Sequence, residues 1–241
     1  MNRYRIKAIV TVFVLFTLIS LGRDMCRAQV VIDQLSTDYS KTDGYEGRVT
    51  FRSQDWYLYT IPLSLIATGT VMLNRLGWFE HNVRVRDVLR YREYKARYVD
   101  DVLQLLPITI TVSWDAYTYV KYSHWQPIVE TASSIATMTL LVHGIKWIGL
   151  EERPDRSAWN SFPSGHTATA FVGAELLRER MGIKYWYIAA LGYGAALTTA
   201  YLRIYHNRHW LGDTLAGAGI GILSAWVGSN LTRLCFKRYR D

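Results

Sequence analysis

Six long apolar segments separated by charged connections constrain the fold of this chain more than any other feature of its sequence. They cover residues 57–73, 102–120, 127–150, 163–177, 185–204 and 211–234. Half of the residues are hydrophobic, yet the mean hydropathy is close to zero because the connections are rich in charge. This alternation is typical of proteins that cross a membrane several times. It predicts an all-α fold, a polytopic membrane helical bundle.

The first 28 residues have the composition of a secretory signal. Three basic residues precede an apolar run over residues 8–22, and Cys26 and Ala28 are small residues at the two positions that signal peptidase reads. Cleavage after Ala28 is one expectation, and an uncleaved signal anchor is the alternative. The predicted organisation is a signal or anchor over 1–28, a polar segment over 29–56, one helical domain over 57–234 and a basic tail over 235–241.

The charge balance excludes some classes of partner. The chain carries 28 basic and 20 acidic residues, and the basic excess is spread over the connections. An anionic membrane surface or an anionic substrate accounts for this distribution better than nucleic acid, because no basic stripe or RNA-binding motif is present. The two cysteines, Cys26 and Cys235, lie near opposite ends of the chain, so a disulfide framework is not expected.

Polar residues with catalytic potential concentrate at three places along the chain. Ionisable groups near membrane depth are costly and are therefore candidates for function. If the apolar segments between them cross the membrane, all three places lie on one of its faces. The candidates are Lys146 and Arg153 after the third segment, Ser164, Gly165 and His166 at the start of the fourth, and Arg203, His209 and Asp213 between the fifth and sixth.

The residue types in this set suit a phosphate group. Lys146, Arg153 and Arg203 would repel one another unless a multiply charged anion lay between them. Ser164 and Gly165 stand at a predicted helix start, where backbone N–H groups without helical partners bind anions. The three cations and the helix start therefore predict an anion site.

The two histidines suit different steps of a phosphoryl transfer. His209 and Asp213 are four residues apart, so they share a helix face if the sixth helix begins early enough. A carboxylate on one ring nitrogen makes the other nitrogen the nucleophile. A helix N-terminus disfavours a protonated His166 and a bound phosphate dianion favours it, which suits a general acid that acts only when substrate is present.

Each group by itself has a simpler interpretation. Lys146 could extend to the membrane surface, the stretch "PSGH" could be a turn and helix cap, and His209 with Asp213 could be a structural pair. His206, His209 and Asp213 have the spacing of a metal site on a helix, although such a site leaves the three cations without a purpose. It is the ordered combination that favours a phosphate site.

That combination resembles the three-part signature of the type 2 phosphatidic acid phosphatase (PAP2) family, which shares its core with the vanadium haloperoxidases. The matching parts are Lys146-x6-Arg153-Pro154, Pro163-Ser164-Gly165-His166 and Arg203-x5-His209-x3-Asp213. Many members have Ser before the arginine of the third part, where this chain has Leu202. The six apolar segments fit the six-helix core of the lipid phosphatases of this family, with the active site at helix ends on one membrane face.

The resemblance implies a role for each residue. His209 attacks phosphorus and forms a phosphohistidine, Asp213 orients it, and His166 protonates the leaving group and later helps to activate water. Lys146, Arg153, Ser164, Gly165 and Arg203 hold the phosphate oxygens. No metal or cofactor is required in this scheme.

The expected activity is that of a phosphoric ester or anhydride hydrolase acting on a membrane lipid. The candidate substrates are lipid A, undecaprenyl diphosphate, phosphatidylglycerophosphate and phosphatidic acid. Two alternatives remain open: a vanadate-dependent haloperoxidase-like enzyme, and a non-catalytic protein that binds or transports phospholipids.

The expected location is the inner membrane of a bacterium, with several spans and a site that faces the periplasm. The resemblance favours this side. The basic connection after residue 73 favours a cytoplasmic site, whereas the basic residues after the fourth segment and in the tail favour the opposite orientation.

Overall fold

The computed structural model describes residues 57–73, 79–89, 98–149 and 151–238, and regular structure in these ranges is entirely helical. The predicted signal segment, the polar segment and the end of the basic tail lie outside them. The described residues from Ile61 onward form one compact unit, which holds every residue of the predicted site. The helices are α1 (Tyr57–Val71), α2 (Phe79–Leu89), α3 (Val99–Leu103), α4 (Leu106–Tyr122), α5 (Gln126–Trp147), α6 (Gly165–Met181), α7 (Trp186–Tyr205) and α8 (Leu211–Arg238).

The all-α prediction is confirmed, and each of the six apolar segments corresponds to one long helix. The second apolar segment begins at Val102, but Val102 and Leu103 belong to the short α3. Pro107 lies in the first turn of α4, where its missing N–H costs no helical hydrogen bond. The long helix therefore starts later than the apolar pattern predicts, at a break that this pattern does not reveal.

Two of the polar residues that weaken the apolar pattern of α4, Thr111 and Asp115, point into the bundle. Thr111 is fully buried, and its hydroxyl donates to the backbone oxygen of Gly173 in α6 at 3.3 Å. Asp115 is also buried and accepts a hydrogen bond from Arg180 Nε at 2.8 Å. Buried polar groups with partners of this kind are tolerated, and they tie α4 to α6.

Glycines on α8 let it approach its neighbours at backbone distance. A Cβ on Gly217 would lie 2.5 Å from the backbone oxygen of Ser164, and one on Gly221 would lie 2.5 Å from that of Ala168. Gly219 faces the backbone of α1 at Pro62 in the same way. Small residues spaced four apart favour such close helix packing. Gly217 thereby sets the start of α8 against the start of α6.

Helix α2 docks beside the start of α8. Asn82 is fully buried, donates to the backbone oxygen of Met72 at 2.7 Å and accepts from the backbone N–H of Gly212 at 2.9 Å. Phe79 meets the Trp210 ring edge-on, with 4.9 Å between ring centroids. Helix α2 therefore contributes a wall beside the candidate site.

Two of the described helices are long and apolar enough to cross a membrane by length and composition, Gln126–Trp147 and residues 211–233. Residues 59–71 form a shorter apolar helix. The other long helices among the described residues do not meet this criterion of length and hydropathy.

Candidate active site

All eight residues predicted to form the site lie where four helix ends meet. Lys146 is in the last turn of α5 and Arg203 in the last turn of α7, while Ser164, Gly165 and His166 begin α6 and Asp213 lies in the first turn of α8. The backbone N–H of Ser164 donates to the backbone oxygen of Asp213 at 3.0 Å. The fold thus brings together three separate parts of the sequence.

His209 and Asp213 form the predicted pair, but not in the predicted manner. Their spacing suggested two residues on one helix face, whereas α8 begins only at Leu211 and His209 lies before it. Asp213 reaches back instead, and its Oδ2 lies 3.2 Å from His209 Nδ1 and accepts from the Trp210 N–H at 2.9 Å. An acidic residue at the third helical position often caps the helix start in this way. The pair therefore depends on a helix cap rather than on helical periodicity.

Ser161 is a site residue that the sequence did not reveal. Its hydroxyl donates to Asp213 Oδ2 at 2.5 Å and lies 3.4 Å from His209 Nδ1. It is fully buried, and its backbone N–H donates to the backbone oxygen of Glu151 at 3.0 Å. The only signal in the sequence is its position two residues before the Pro163 turn. Ser161 fixes the carboxylate that orients His209.

The surroundings of His209 keep its imidazole neutral. The residue is 1% exposed. Burial lowers its pKa to about 4, opposed by the Asp213 carboxylate and reinforced by the charges of Arg203 and Lys146. With Nδ1 facing Asp213, Nε2 is the nitrogen left for chemistry. A neutral imidazole held in one orientation is a nucleophile at physiological pH.

The start of α6 combines a helix cap with an end that can bind an anion. Ser164 is the N-cap residue, and its side chain accepts from the N–H of Thr167 at 3.5 Å and from the Thr167 hydroxyl at 2.9 Å. The capping interpretation of "PSGH" is therefore correct for its side chain. The N–H groups of Gly165 and His166 stand in the first turn, where an α-helix provides no carbonyl partner, so this end can still bind an anion.

Lys146 and Arg153 are held by the loop between α5 and α6. Lys146 Nζ donates to the backbone oxygen of Asn160 at 2.6 Å, and Arg153 Nε donates to Asn160 Oδ1 at 3.0 Å. Burial lowers the pKa of Arg153, and the nearby charge of Arg203 lowers it further. An arginine stays protonated under such conditions, so the site concentrates positive charge that an anion would relieve.

Arg203 is buried, and only part of its hydrogen-bonding capacity is used by the described residues. It is 7% exposed, and its Nη1 donates to Asp100 Oδ2 at 2.6 Å, while its Nε has no hydrogen-bond partner among the described residues. Burial by itself would raise the pKa of Asp100, but the hydrogen bond and charge of Arg203 outweigh it and hold this pKa below its usual value. A buried guanidinium with a free N–H fits an anion that is bound during function.

Helix α3 contributes two acidic residues that sequence reasoning missed. Asp100 pairs with Arg203, and the neighbouring Asp101 places its Oδ1 2.6 Å from His166 Nε2. In the sequence, both acids look like solvated charges in a charged connection, and they precede their partners by 65 residues or more. Only the tertiary structure brings them to the site.

The alternative metal site is not assembled. His206 Nδ1 lies 3.2 Å from Asp100 Oδ1, whereas His209 faces Asp213. Within residues 57–73, 79–89, 98–149 and 151–238, no three His, Cys, Asp or Glu side chains are placed to hold a metal ion. His206 therefore contacts Asp100 of α3 and does not share a site with His209 and Asp213.

Comparison with known proteins identifies the family. The family model described as the PAP2 superfamily matches residues 102–237, which include all of α4 to α7 and all eight residues predicted from the sequence to form the site. This chain belongs to the PAP2 superfamily. The resemblance inferred from the three-part signature is confirmed.

One curated relative is the lipid A 1-phosphatase of Porphyromonas gingivalis. It is 38% identical over 141 residues, which are 58% of this chain and 32% of the relative. The chain thus matches about a third of the length of that protein. The matched part of the chain is similar in sequence to a phosphatase named for a membrane lipid.

Two solved structures share the PAP2 fold of this chain. LpxE from Aquifex aeolicus matches with a TM-score of 0.50 at 23% identity, covering 61% of this chain and 94% of that protein. The transmembrane PAP2-type phosphatidylglycerolphosphate phosphatase from Bacillus subtilis matches with a TM-score of 0.54 at 20% identity, covering 73% and 94% respectively. At these identities the likeness concerns the fold alone, a helical bundle.

Proposed function

We propose that this protein hydrolyses a phosphomonoester or diphosphate of a membrane lipid through a phosphohistidine intermediate. The observation that carries the proposal is the state of His209: a buried, neutral imidazole with Nδ1 held by Asp213 and Nε2 left to react. Membership in the PAP2 superfamily and the name of the curated relative support phosphatase activity.

The proposed reaction has two steps. First, His209 Nε2 attacks phosphorus, the bond to the leaving oxygen breaks, and His166 gives that oxygen a proton. Second, water attacks the phosphohistidine, its proton passes to His166, and inorganic phosphate leaves. The cations Lys146, Arg153 and Arg203 and the N–H groups at the start of α6 stabilise the charge on the phosphoryl oxygens in both transition states. The scheme uses only side chains and water.

The substrate that we favour is lipid A with a 1-phosphate group. The support is the 38% identity to the lipid A 1-phosphatase over 141 residues of this chain. Undecaprenyl diphosphate, phosphatidylglycerophosphate and phosphatidic acid are the other candidates, because each presents a phosphate at the membrane surface. No observation favours vanadate chemistry or lipid transport over hydrolysis.

We further propose that α1, α4, α5, α6, α7 and α8 form a six-helix core that crosses the bacterial inner membrane, with the site on the periplasmic face. Helices α4 and α6 begin at the site end of the bundle and run away from it. The basic residues near their far ends and near the far ends of α7 and α8 therefore lie towards the other end of the bundle: Lys121, Arg178, Lys184 and Arg233. A basic end favours the cytoplasm. A reporter fused after Asp241 that is active only in the cytoplasm tests this orientation. Activity of a periplasmic reporter at the same position contradicts it.

The decisive test of the activity is phosphate release in detergent from the four candidate lipids, with a chelator present. We expect release from lipid A 1-phosphate that survives chelation and falls at least about 1,000-fold in His209→Ala, because the nucleophile is lost. His124→Ala is the matched control, since His124 is an exposed histidine on the turn between α4 and α5. Full activity in His209→Ala contradicts the proposal. Loss on chelation with rescue by a divalent metal supports the metal site instead.

A further inference from the structure

We propose that Asp101 is a positioning residue that orients His166 and stabilises its protonated form, as Asp213 orients His209. The inference rests on the proposed function, because it assigns a partner to the proton donor of that reaction. The geometry is direct: Asp101 Oδ1 lies 2.6 Å from His166 Nε2. The site would then contain two carboxylate–imidazole pairs, one for the nucleophile and one for the acid.

The position of Asp101 is fixed by its own helix. Val99–Leu103 forms a single turn immediately before α4, and the Gln104 side chain donates to the backbone oxygen of Asp101 at 3.1 Å. The adjacent Asp100 is buried and binds Arg203 at 2.6 Å, which anchors this turn to α7. Because Asp100 already holds Arg203, the Asp101 carboxylate is left for His166, with Arg203 Nη1 more distant at 3.9 Å.

The contact with Asp101 also determines which nitrogen of His166 exchanges protons. Asp101 faces Nε2, so that nitrogen carries a proton that it donates to the carboxylate, and Nδ1 is left to face the substrate. In the first step the Nδ1 proton moves to the leaving oxygen as the phosphorus–oxygen bond breaks. In the second step Nδ1 takes a proton from water as the phosphorus–nitrogen bond of the intermediate breaks. His166 returns to its starting form after one cycle.

The charges around His166 act in opposite directions. The carboxylates of Asp101 and Asp100 on α3 attract the charge of an imidazolium, and the guanidinium of Arg203 on α7 repels it. Asp101 is the carboxylate in direct contact. Without this carboxylate the imidazolium loses its nearest counter-charge, and fewer molecules would hold the proton that the leaving group needs.

The test compares leaving groups in full-length Asp101→Asn. For an alkyl phosphate, whose leaving oxygen needs a proton, we expect kcat/KM to fall about 10- to 100-fold, and for p-nitrophenyl phosphate, whose leaving group departs as an anion, less than about threefold. We also expect the alkaline limb of the kcat/KM profile for the alkyl phosphate to move to lower pH. A merely structural role would lower kcat/KM equally for both substrates and leave the pH profile for the alkyl phosphate unchanged.

Asp87→Asn is the matched control, because the Asp87 side chain is 47% exposed and paired with an arginine, and the Asp101 side chain is also 47% exposed. We expect no difference from wild type for either substrate. Equal losses on both substrates in Asp101→Asn, or an unchanged pH profile, overturn the inference. The proposed function is judged separately, by metal-independent activity of the wild type and its loss in His209→Ala.

Discussion

Asp213 holds His209 from the first turn of α8 while it also caps that helix, so one carboxylate oxygen serves both the nucleophile and the fold. Its Oδ2 lies 3.2 Å from His209 Nδ1 and accepts hydrogen bonds from Ser161 and from the Trp210 N–H. Its other oxygen, Oδ1, is buried without a hydrogen-bond partner among the described residues. The orientation of the nucleophile is therefore coupled to the start of α8.

Replacement of this carboxylate by an amide tests the coupling. In Asp213→Asn we expect the cap to survive, because Asn also accepts from a backbone N–H, but the amide no longer stabilises the required tautomer of His209. We expect kcat to fall by about 100- to 10,000-fold, as for the equivalent change in other carboxylate–histidine pairs. Phosphate release and thermal unfolding are measured together. Activity within about threefold of wild type would contradict the assigned role.

The pH dependence of kcat/KM reports the low pKa of His209. Because this pKa is lowered to about 4, the nucleophile stays unprotonated from neutral pH down to that value, and the acid limb is expected near pH 4 after correction for ionisation of the substrate. Lys146 lowers the pKa of His209 and Asp213 raises it. The acid limb should therefore move to higher pH in Lys146→Met and to lower pH in Asp213→Asn. Shifts of the same sign in both variants would refute this account.

Gly217 tests how the site depends on helix packing. A Cβ there would lie 2.5 Å from the backbone oxygen of Ser164, so in Gly217→Ala the starts of α6 and α8 must move apart. We expect a loss of about 1–3 kcal/mol in stability and a fall in kcat/KM of about tenfold or more, since the two helix starts hold opposite sides of the site.

Gly194→Ala is the control for this change, because a Cβ at Gly194 of α7 would meet nothing within 4 Å. Its stability should match or slightly exceed that of wild type, since alanine favours a helix more than glycine does. Thermal unfolding and phosphate release are measured for both variants. Equal behaviour of the two would show that the close approach is unimportant.

Arg180 stabilises the bundle away from the site. It lies near the end of α6, and its guanidinium donates to Asp115 at 2.8 Å and to Glu130 at 2.9 Å, with its side chain only 9% exposed. In Arg180→Met the buried Asp115 loses its cation and Glu130 keeps only the looser contact with Arg233 at 3.8 Å, so we expect a loss of about 3–5 kcal/mol in stability. The kcat of the folded fraction should be unchanged, because the site lies at the start of α6.

Arg84→Met is the control, since the Arg84 side chain is 77% exposed and its pairing with Glu80 is loose at 3.9 Å. Its effect should stay below about 0.5 kcal/mol. Denaturation in detergent gives the free energy of unfolding of both variants. A similar small effect in Arg180→Met would mean that the buried network contributes nothing net to stability.

The sequence determined the helices and most of the candidate site. Six apolar runs predicted six long helices, because burying apolar side chains and pairing backbone groups leave a helix as the main solution for such a run. The order and spacing of Lys146, Arg153, Ser164, His166 and their partners predicted an anion site at helix ends. These features are local patterns, which a sequence displays directly.

The tertiary structure decided what supports those residues. Ser161, Asp100 and Asp101 have no local pattern that marks them, and each acts on a partner 48 to 103 residues away. The structure also shows that His209 and Asp213 meet through a helix cap and not on one helix face, and that His206 contacts Asp100 instead of these two residues. Hydrogen bonds between distant residues depend on how helices pack, and the packing is set by backbone contacts such as that of Gly217 with Ser164, which no single segment of the sequence contains.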